Sequence, residues 1–368
     1  MRVIALVSFP DAPLTEKLIR NALVTKIPSI EIVDEIPPNF DRLLQICTYD
    51  RMDHELTHLK PESVLSSSYI IRKSIIRKHF LNRTISAYTS KYPESLLKSS
   101  IPRTWDFDIV WADELGDLFA DELWELGEIL DGPNNVKWFI LKAGMTDSGN
   151  GIRLFNSKEQ LQLIFNEFDE KSDIEDSDEQ EGGQEIITSQ LRHFVIQEYL
   201  SNPLLLDPHE SVVPGECSSL EPYKVCYVKQ IPSALPLSRS YQFHLRAYCV
   251  ASGALTVYLW EHILALFASV PYVSPEKHDE PVNLQAHLTN TALIKEGGES
   301  FVLLLSELAG RSILSVSEHK QTLTTSDINI IIDHLAVVIG QVFRAAIASP
   351  IHFQKKFRVY FYLHLRAV

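Results

Sequence analysis

The chain has 368 residues, of which 45% are hydrophobic and 22% charged, and these values are typical of an ordinary globular protein with two or three domains. Its formal net charge of −14 argues against a nucleic-acid-binding surface as the default function. The four cysteines form no C-x-x-C pair, so we expect free thiols in the reducing cytoplasm.

Residues 1–100 are predicted to form an N-terminal α/β domain. Short apolar runs alternate with helical patterns, and the first run, which ends at Pro10, predicts an opening β-strand and not a signal peptide. Residues 54–58 have the sequence HELTH, which matches the zinc-protease pattern H-E-x-x-H. We interpret this match as a coincidence, because Pro61 follows closely and the preceding segment has no apolar stripe to support a long helix.

Residues 101–200 are predicted to form a central subdomain with a phosphate-binding loop. The segment 136–142 is apolar on both faces, as in a covered central strand, and ends at Lys142. A Walker A site is excluded, because Asn150-Gly151 stands where that motif needs lysine and serine or threonine. The remaining arrangement is strand, lysine, glycine loop and strand, in which small residues let backbone amides approach phosphate oxygens. A structural hairpin with an exposed lysine would look similar, so the pattern alone leaves both interpretations open.

The same subdomain contains a strongly acidic stretch at residues 169–185, with nine carboxylates and one lysine. It has almost no apolar side chains whose burial could offset the entropy of ordering the chain. We expect a disordered loop that acts as a solvated spacer, with an acidic docking segment as the less favoured alternative. A helix is predicted to begin just before it, because Ser157 and Gln160 form a capping-box pattern.

Residues 201–368 are predicted to form a C-terminal subdomain. The segment 241–261 predicts a hairpin that turns at Ser252-Gly253. On its first strand one face is expected to point to the core and the opposite face to carry chemistry. The core face comprises Phe243, Leu245, Ala247 and Cys249, and the other face His244, Arg246 and Tyr248. The apolar stretch 328–348 is interrupted by polar residues, which favours a packed helix over a membrane span.

Several of these stretches, in this order along the chain, resemble the tubulin–tyrosine ligase family of ATP-grasp enzymes, particularly its fungal branch that includes a P-body-associated member. They are Arg72-Lys73, residues 140–152, residues 195–208, and the pair 243–248 and 287–296. The resemblance covers roughly residues 65–354, and it is most specific at 195–208 and at the sequence HLTN. It implies an ATP-grasp fold of mixed α/β class.

The resemblance also implies a site for ATP and Mg²⁺. Phosphates would be contacted by Lys73, by Lys142 and by the loop glycines Gly149 and Gly151. Adenine would be held by Gln197, Glu198, Tyr199 and Leu200, partly through backbone groups. His244 would bind ribose or phosphate, Thr289 and Asn290 would lie near the phosphates and metal, and Arg246 would neutralise the reacting carboxylate or acyl phosphate. Arg246 and Asn290 are therefore the candidate catalytic residues.

The chain departs from the family's pattern in three places. His244 stands where relatives usually carry aspartate, and Gln242 where they usually carry lysine, which removes one positive contact. The third departure concerns the Mg²⁺ ligands, an aspartate and a Glu-x-Asn that the family's pattern places shortly after residue 354. Residues 355–368 contain no Asp, Glu or Asn, so we expect no family-type metal ligand there and a chain truncated after about residue 354, with one further strand possible.

Two functions are compatible with these observations. The first is an ATP-dependent ligase that adds an amino acid, with tyrosine as the first expectation, to a protein C-terminal carboxylate through an acyl phosphate. Its partners would be a free amino acid and an acidic tail such as that of tubulin, attracted by a predicted basic helix at 68–88. The alternative is a catalytically impaired ATP-grasp module that binds nucleotide or another protein. In both cases we expect a protein of the cytoplasm, and within it of P-bodies. We expect no direct binding to nucleic acid or to membranes.

Overall fold

The computed structural model of the protein describes residues 2–69, 72–133, 136–145, 151–175, 192–210, 240–253, 255–275, 282, 284–289, 301–315, 321–348 and 360–367. The chain divides into two compact units. Unit 1 comprises residues 1–100, 247–261 and 336–365, and unit 2 comprises residues 101–246, 262–335 and 366–368. The domain boundaries predicted at residues 100 and 200 stay a prediction.

Short strands and helices alternate along the chain. Up to residue 130 they are β1 (Val3–Ser8), α1 (Pro13–Lys26), β2 (Glu31–Val33), β3 (Arg42–Cys47), α2 (His54–Leu59), β4 (Val64–Ser66), α3 (Lys73–Ile76), α4 (Lys78–Lys91), α5 (Leu97–Ser100), β5 (Thr104–Asp108), α6 (Leu115–Ala120) and α7 (Trp124–Leu130). They continue with β6 (Phe139–Ala143), β7 (Arg153–Phe155), α8 (Lys158–Glu175), β8 (His193–Glu198), β9 (Phe243–Ser252), β10 (Thr256–Leu259), β11 (Leu264–Phe267), β12 (Val302–Leu304), β13 (Ser312–Ile313), β14 (Gln321–Thr322), α9 (Thr325–Ala348) and β15 (Tyr360–Ala367).

The N-terminal part of unit 1 is an α/β layer, as predicted. Four parallel strands lie in the order β2-β1-β3-β4, and β1 is the opening strand expected from the sequence. Because β1 has a neighbour on both sides, Ile4 pairs with Glu31 of β2 and with Leu43 of β3. Ile4 and Ala5 are completely buried, as in the covered strands of parallel sheets.

The HELTH segment forms α2, a helix of only six residues. It begins at an N-cap, Asp53, whose side chain accepts a hydrogen bond from the Leu56 amide at 2.7 Å. The Nε2 atom of His54 lies 3.1 Å from the carbonyl oxygen of Tyr49. Because a carbonyl oxygen can only accept a hydrogen bond, Nε2 of His54 carries the ring hydrogen. A ring nitrogen that carries a hydrogen has no free lone pair for a metal ion.

The prediction of one basic helix over residues 68–88 is wrong. The structure has two helices, α3 and α4, separated at Arg77, whose φ of −107° and ψ of 123° are extended. The break follows Ile75 and Ile76, two β-branched residues of low helix propensity. It allows Ile75 to be buried while Ile76 stays 40% exposed. The break at Arg77 thus directly follows a buried and an exposed isoleucine.

Unit 2 contains an antiparallel sheet with the strand order β5-β8-β6-β7. Its core is aromatic, since Phe165 of α8 packs edge-on against Phe194 of β8 with a centroid distance of 5.2 Å. Phe194 also stacks on Phe107 of β5 at 6.0 Å. These rings hold α8 against the sheet and leave the ends of β6 and β8 to line a cavity.

The expected loop at residues 169–185 is partly wrong, because α8 continues through Glu175. Phe168 is buried, and the Asp169 carboxylate accepts a hydrogen bond from the Ala112 amide at 2.7 Å. These contacts fix the helix at the edge of the acidic stretch, and extending an existing helix needs no new nucleus. Residues 176–185 lie outside the described residues. The predicted start of α8 is confirmed, because Ser157 Oγ accepts from the Gln160 amide at 3.2 Å. The second half of the capping box differs, because Gln160 Oε1 accepts from the Asn156 amide at 2.8 Å and not from that of Ser157.

A second sheet has the strand order β10-β9-β11-β12, and β15 also pairs with β9. The predicted hairpin is confirmed, since Thr256 of β10 lies opposite Ser252 of β9 and Gly253 in the turn has a φ of +63°. In unit 2, the first four residues of β9 pair with β11. The first residues of β9 therefore belong to the same unit as the cavity.

The apolar stretch near the C-terminus forms α9, as predicted. Within the part of the chain that the structure describes, α9 alone is long and apolar enough to cross a membrane by length and composition, and 33% of its most apolar window is buried. A core helix of a soluble protein meets the same criteria.

Candidate functional site

A cavity of about 770 Å³ lies in unit 2. This volume is in the range of small-molecule and cofactor sites. Its walls come from segments that are far apart in sequence: the ends of β6 and β8, residues 199–204 after β8, the first residues of β9, and residues 287 and 289. Further apolar side chains complete the lining, namely Leu305, Leu323 and Ile331.

The structure brings together seven of the residues proposed from the sequence. All of them line this cavity: Lys142, Gln197, Glu198, Tyr199, Leu200, His244 and Thr289. They come from four stretches singled out in the sequence, which span almost 150 residues of the chain. Their roles stay predictions, but their convergence on one cavity is a property of the fold.

The other proposed residues lie elsewhere. Arg246 is two positions beyond His244 on β9 and is absent from the cavity lining, and its Nε is buried with no hydrogen-bond partner among the described residues. Gly151 is buried and has a φ of +69°, a conformation that favours glycine. Lys73 begins α3 in unit 1. Gly149 and Asn290 lie outside the described residues.

Lys142 is oriented by a chain of neutral groups. Its Nζ donates to Gln197 Oε1 at 2.8 Å, and Gln197 Nε2 donates to Thr104 Oγ1 at 2.9 Å. Gln197 lies on β8 opposite Ile140 of β6, two residues before Lys142, so the two side chains are diagonal neighbours across the strands. An amide oxygen orients an ammonium group without neutralising it, so this contact leaves the positive charge of Lys142 in place.

The segment after β8 is anchored to the sheet through its backbone. The amide of Glu198 donates to the Arg103 carbonyl, and the amide of Tyr199 donates to the Trp138 carbonyl, both at 2.9 Å. Among the hydrogen bonds described, none uses the amide of Leu200. The first three residues of the predicted adenine segment therefore continue the strand, and Leu200 is where backbone groups become available to a ligand.

Glu198 contacts a residue that the sequence analysis missed. Its carboxylate lies 2.6 Å from Nζ of Lys137, which also lines the cavity. The Lys137 side chain is 50% exposed, so the ion pair contributes little to stability. Lys137 follows directly on Val136 in the predicted strand segment, but no motif marks it.

His287 is the second missed residue. Its Nδ1 lies 2.8 Å from the hydroxyl of Tyr199, and burial lowers its pKa to about 4. Burial also raises the pKa of the Tyr199 phenol, so both groups are neutral at pH 7. The sequence contained a clue to His287, which is the first residue of the HLTN stretch. Only Thr289 and Asn290 of that stretch were predicted to be site residues.

The alternation predicted along β9 holds only for part of the strand. Ala247 and Cys249 are buried as expected, at 1% exposure each. Phe243 and Leu245 are instead half-buried and line the cavity, while His244 is 3% exposed and hydrogen-bonds the Thr289 hydroxyl through Nδ1. The apolar side chains expected in the core thus form cavity wall at this end of β9.

The residues present fit a nucleotide better than they fit a metal ion. A positively charged amine, apolar walls and backbone groups at Leu200 match phosphate, an aromatic base and its polar edge. No group of three or more His, Cys, Asp or Glu residues that could hold a metal occurs in the described parts of the chain.

The fold is shared with a solved structure, the C-terminal domain of K. lactis Pby1, which is described as an ATP-grasp enzyme interacting with the mRNA decapping enzyme Dcp2. The TM-score is 0.62 at 24% sequence identity, and the match covers 100% of this chain and 81% of that domain. The cavity thus belongs to a protein with an ATP-grasp fold of mixed α/β class, as the sequence predicted.

The sequence profile of the tubulin–tyrosine ligase family matches residues 52–362, and the chain belongs to this family. It is 36% identical over 304 residues to the probable tubulin–tyrosine ligase PBY1 of Saccharomyces cerevisiae, with 75% of this chain and 36% of that protein covered. It is 34% identical over 324 residues to a probable tubulin–tyrosine ligase of Schizosaccharomyces pombe, with 84% and 68% covered. The chain thus spans about a third of the length of the first relative.

Proposed function

We propose that the chain is an ATP-dependent ligase that joins a free amino acid, tyrosine first among the candidates, to a carboxylate at the C-terminus of a protein. The observation that carries this proposal is the convergence of Lys142, Tyr199, His244 and Thr289 on one cavity. These residues come from separate stretches of a chain that belongs to the tubulin–tyrosine ligase family. A structural hairpin at Lys142 would not require the other three stretches to line the same cavity.

In this proposal ATP is the first substrate. Leu200 offers backbone groups to adenine, and the apolar residues of the cavity, such as Leu305 and Ile331, exclude water from the base. Lys142, held in place by Gln197, binds phosphate oxygens. Gly151 allows the end of the preceding loop to adopt the left-handed conformation beside the phosphates. His244 and Thr289, which are hydrogen-bonded to each other, face the ribose or the phosphates.

The proposed reaction has two steps. A carboxylate oxygen of the acceptor protein attacks the γ-phosphorus of ATP, and the bond to the β,γ-bridging oxygen breaks, which gives an acyl phosphate and ADP. The neutral amine of the amino acid then attacks the acyl carbon, phosphate leaves, and an amide bond forms with loss of a proton. Both steps depend on positioning and on neutralisation of anionic charge, for which Arg246, Asn290 and Lys73 are the proposed additional groups.

We further propose an acidic C-terminal tail, such as that of tubulin, as the acceptor. The segment around α3 and α4 supplies the required positive charge, with Arg72, Lys73, Arg77, Lys78 and Arg83 as its basic residues. Such attraction matters because the chain itself has a net charge of −14 and would otherwise repel an acidic tail. We place the protein in the cytoplasm, and in P-bodies by analogy with the relative that interacts with a decapping enzyme.

The test is a ligation assay with the purified chain, ATP, Mg²⁺, tyrosine and a peptide with an acidic C-terminus. We expect mass spectrometry to detect a peptide that has gained one tyrosine, together with one ADP per product. Lys142→Ala should abolish the product, whereas Lys26→Ala, a matched change at an exposed lysine of unit 1, should not. The ligase proposal is refuted if the purified chain binds nucleotide but ligates none of the twenty amino acids to the peptide.

A second candidate is a nucleotide- or protein-binding module without ligase activity. It is favoured by the composition of residues 355–368, which offer no Asp, Glu or Asn as metal ligand. The interaction named for the K. lactis relative suggests the kind of partner, a component of the decapping machinery. In the same assay this candidate predicts ATP binding that is unchanged by Mg²⁺ and no product. Steady Mg²⁺-dependent turnover by the purified chain contradicts it.

A further inference from the structure

Three aromatic residues of unit 2 form a hydrogen-bonded cluster beside the cavity. The Tyr199 hydroxyl lies 2.8 Å from His287 Nδ1, and the Tyr272 hydroxyl lies 2.8 Å from the carbonyl oxygen of Ser201. The two phenols also interact electrostatically, and the Tyr272 phenol interacts with Ser274 as well. His287 meets both tyrosine rings edge-on, with centroid distances of 5.6 Å to Tyr199 and 5.8 Å to Tyr272.

The acceptor fixes the direction of one of these hydrogen bonds. A carbonyl oxygen only accepts, so the single hydroxyl hydrogen of Tyr272 is donated to Ser201. Between Tyr199 and His287 either group can be the donor, according to the tautomer of the imidazole.

His287 is neutral in this arrangement. It is buried, and its surroundings in the cluster are neutral hydroxyls, so burial lowers its pKa to about 4. A neutral imidazole has one N–H group and one lone pair, so Nδ1 can pair with the Tyr199 hydroxyl in either tautomer. The cluster is thus a set of neutral, hydrogen-bonded groups.

The cluster anchors the chain on both sides of Leu200. Tyr199, the preceding residue, is held through its hydroxyl, and Ser201, the following residue, is held through its carbonyl. His287 lies two positions before Thr289, so the same network connects the segment after β8 to the segment that carries Thr289. Both segments line the cavity, and the network fixes their separation.

We propose that His287, Tyr199 and Tyr272 are positioning residues that preset the backbone of Leu200 for the nucleotide base. The proposal rests on the proposed function, since it concerns the ATP of that same site. The three side chains act through the backbone and not by direct contact with the reacting atoms. A preset backbone lowers the entropy lost on binding, so the network contributes to affinity for ATP and leaves the chemical step unchanged.

The test compares Tyr199→Phe and Tyr272→Phe with wild type, since each keeps its ring and loses one hydroxyl. We expect each variant to weaken ATP binding, measured by calorimetry, about five-fold, the effect of losing one net hydrogen bond. Tyr258→Phe, at a tyrosine that is 60% exposed in unit 1, is the matched control and should bind ATP as wild type does. In the ligation assay the variants should raise KM for ATP with little change in kcat.

Two variants of His287 test whether a polar side chain at this position preserves ATP affinity. His287→Asn retains an N–H donor near the position of Nδ1 and should keep more ATP affinity than His287→Leu, which has none. A purely structural role would lower the melting temperature of both variants without separating their affinities. If the two variants bind ATP equally, or if loss of either tyrosine hydroxyl leaves the affinity unchanged, the positioning role is refuted.

A second measurement does not depend on nucleotide. The imidazole nitrogens of ¹⁵N-histidine-labelled protein report which nitrogen is protonated, and His287→Asn identifies the resonance among those of the thirteen histidines. We expect His287 to be neutral at pH 7 and its Nδ1 resonance to shift in Tyr199→Phe, which removes the hydroxyl partner, and an unchanged resonance would overturn the contact. If wild type binds no ATP while this shift is observed, the proposed function fails and the network stands without a role in binding nucleotide.

Discussion

Protonation of His287 should make the stability of unit 2 depend on pH in a defined window. Its pKa is about 4 in the folded protein, against 6.5 for an unperturbed histidine. Between these values the unfolded state binds a proton that the folded state does not, so stability decreases as the pH falls. The full loss below pH 4 is about 2.5 times 1.36 kcal/mol, or about 3 kcal/mol. Between pH 7.5 and pH 6.0 the same linkage predicts a loss of about 1 kcal/mol.

The assay is urea unfolding at pH 7.5 and 6.0, followed by tryptophan fluorescence. Trp105 and Trp138 are buried in unit 2 and report on its unfolding, and pH 6.0 stays above the isoelectric point of about 5.4. The comparison is with His287→Asn, which cannot titrate, so that carboxylates contribute equally to both proteins and cancel. Wild type should lose about 1 kcal/mol more than His287→Asn over this interval.

An exposed histidine supplies the control. His58→Gln, in unit 1, should show the same pH dependence as wild type. The reasoning is refuted if wild type and His287→Asn lose equal stability between the two pH values. It is also refuted if the His287 resonance titrates with a midpoint near 6.5, since the burial argument would then be wrong.

Three further results are expected. Lys142→Ala should weaken ATP binding about ten-fold or more in calorimetry, because a charge-assisted hydrogen bond is lost, and equal affinity would remove Lys142 from the site. Phe165→Ala should lower the free energy of unfolding of unit 2 by about 3–5 kcal/mol in urea, since it leaves a cavity against α8 and β8, and a loss below 1 kcal/mol would contradict the aromatic core. Ser157→Ala should cost about 1 kcal/mol in the same assay by removing the N-cap of α8, and Ser157→Asp, which can still cap, should cost little.

The site was predictable to the extent that its chemistry is local in sequence. Lys142 with the glycines is a continuous segment whose composition indicates phosphate binding, and the stretch from Gln197 to Leu200 is a continuous segment that resembles the adenine-binding strand of the tubulin–tyrosine ligase family. The contacts that orient them are not local: Lys142 meets Gln197 across 55 residues, and Tyr199 meets His287 across 88. No single-sequence pattern specifies such pairs, because they depend on how two strands and a loop are brought together.

The fold errors have a related origin. The continuous helix expected over residues 68–88 is interrupted at Arg77, just after two β-branched residues of which Ile75 is buried, and the helical pattern of the sequence does not show this burial. The loop expected from residue 169 is helical as far as Glu175, because Asp169 has a backbone partner at Ala112 that composition cannot reveal. The fold class could still be predicted, because it depends on the alternation of short strands and helices along the whole chain. Errors in the bounds of single helices do not change this alternation.

The interleaving of the two units along the chain has a consequence for biosynthesis. Unit 2 is complete once residue 335 has been made, apart from three terminal residues, whereas unit 1 needs residues up to 365. Residues 336–365 of unit 1 therefore follow nearly all of unit 2 along the chain. The cavity, whose lining ends at Ile331, can form on a nascent chain before these residues are synthesised. Under the proposed function, ATP bound at that stage favours the folded state of unit 2 by mass action and acts as a cotranslational folding ligand.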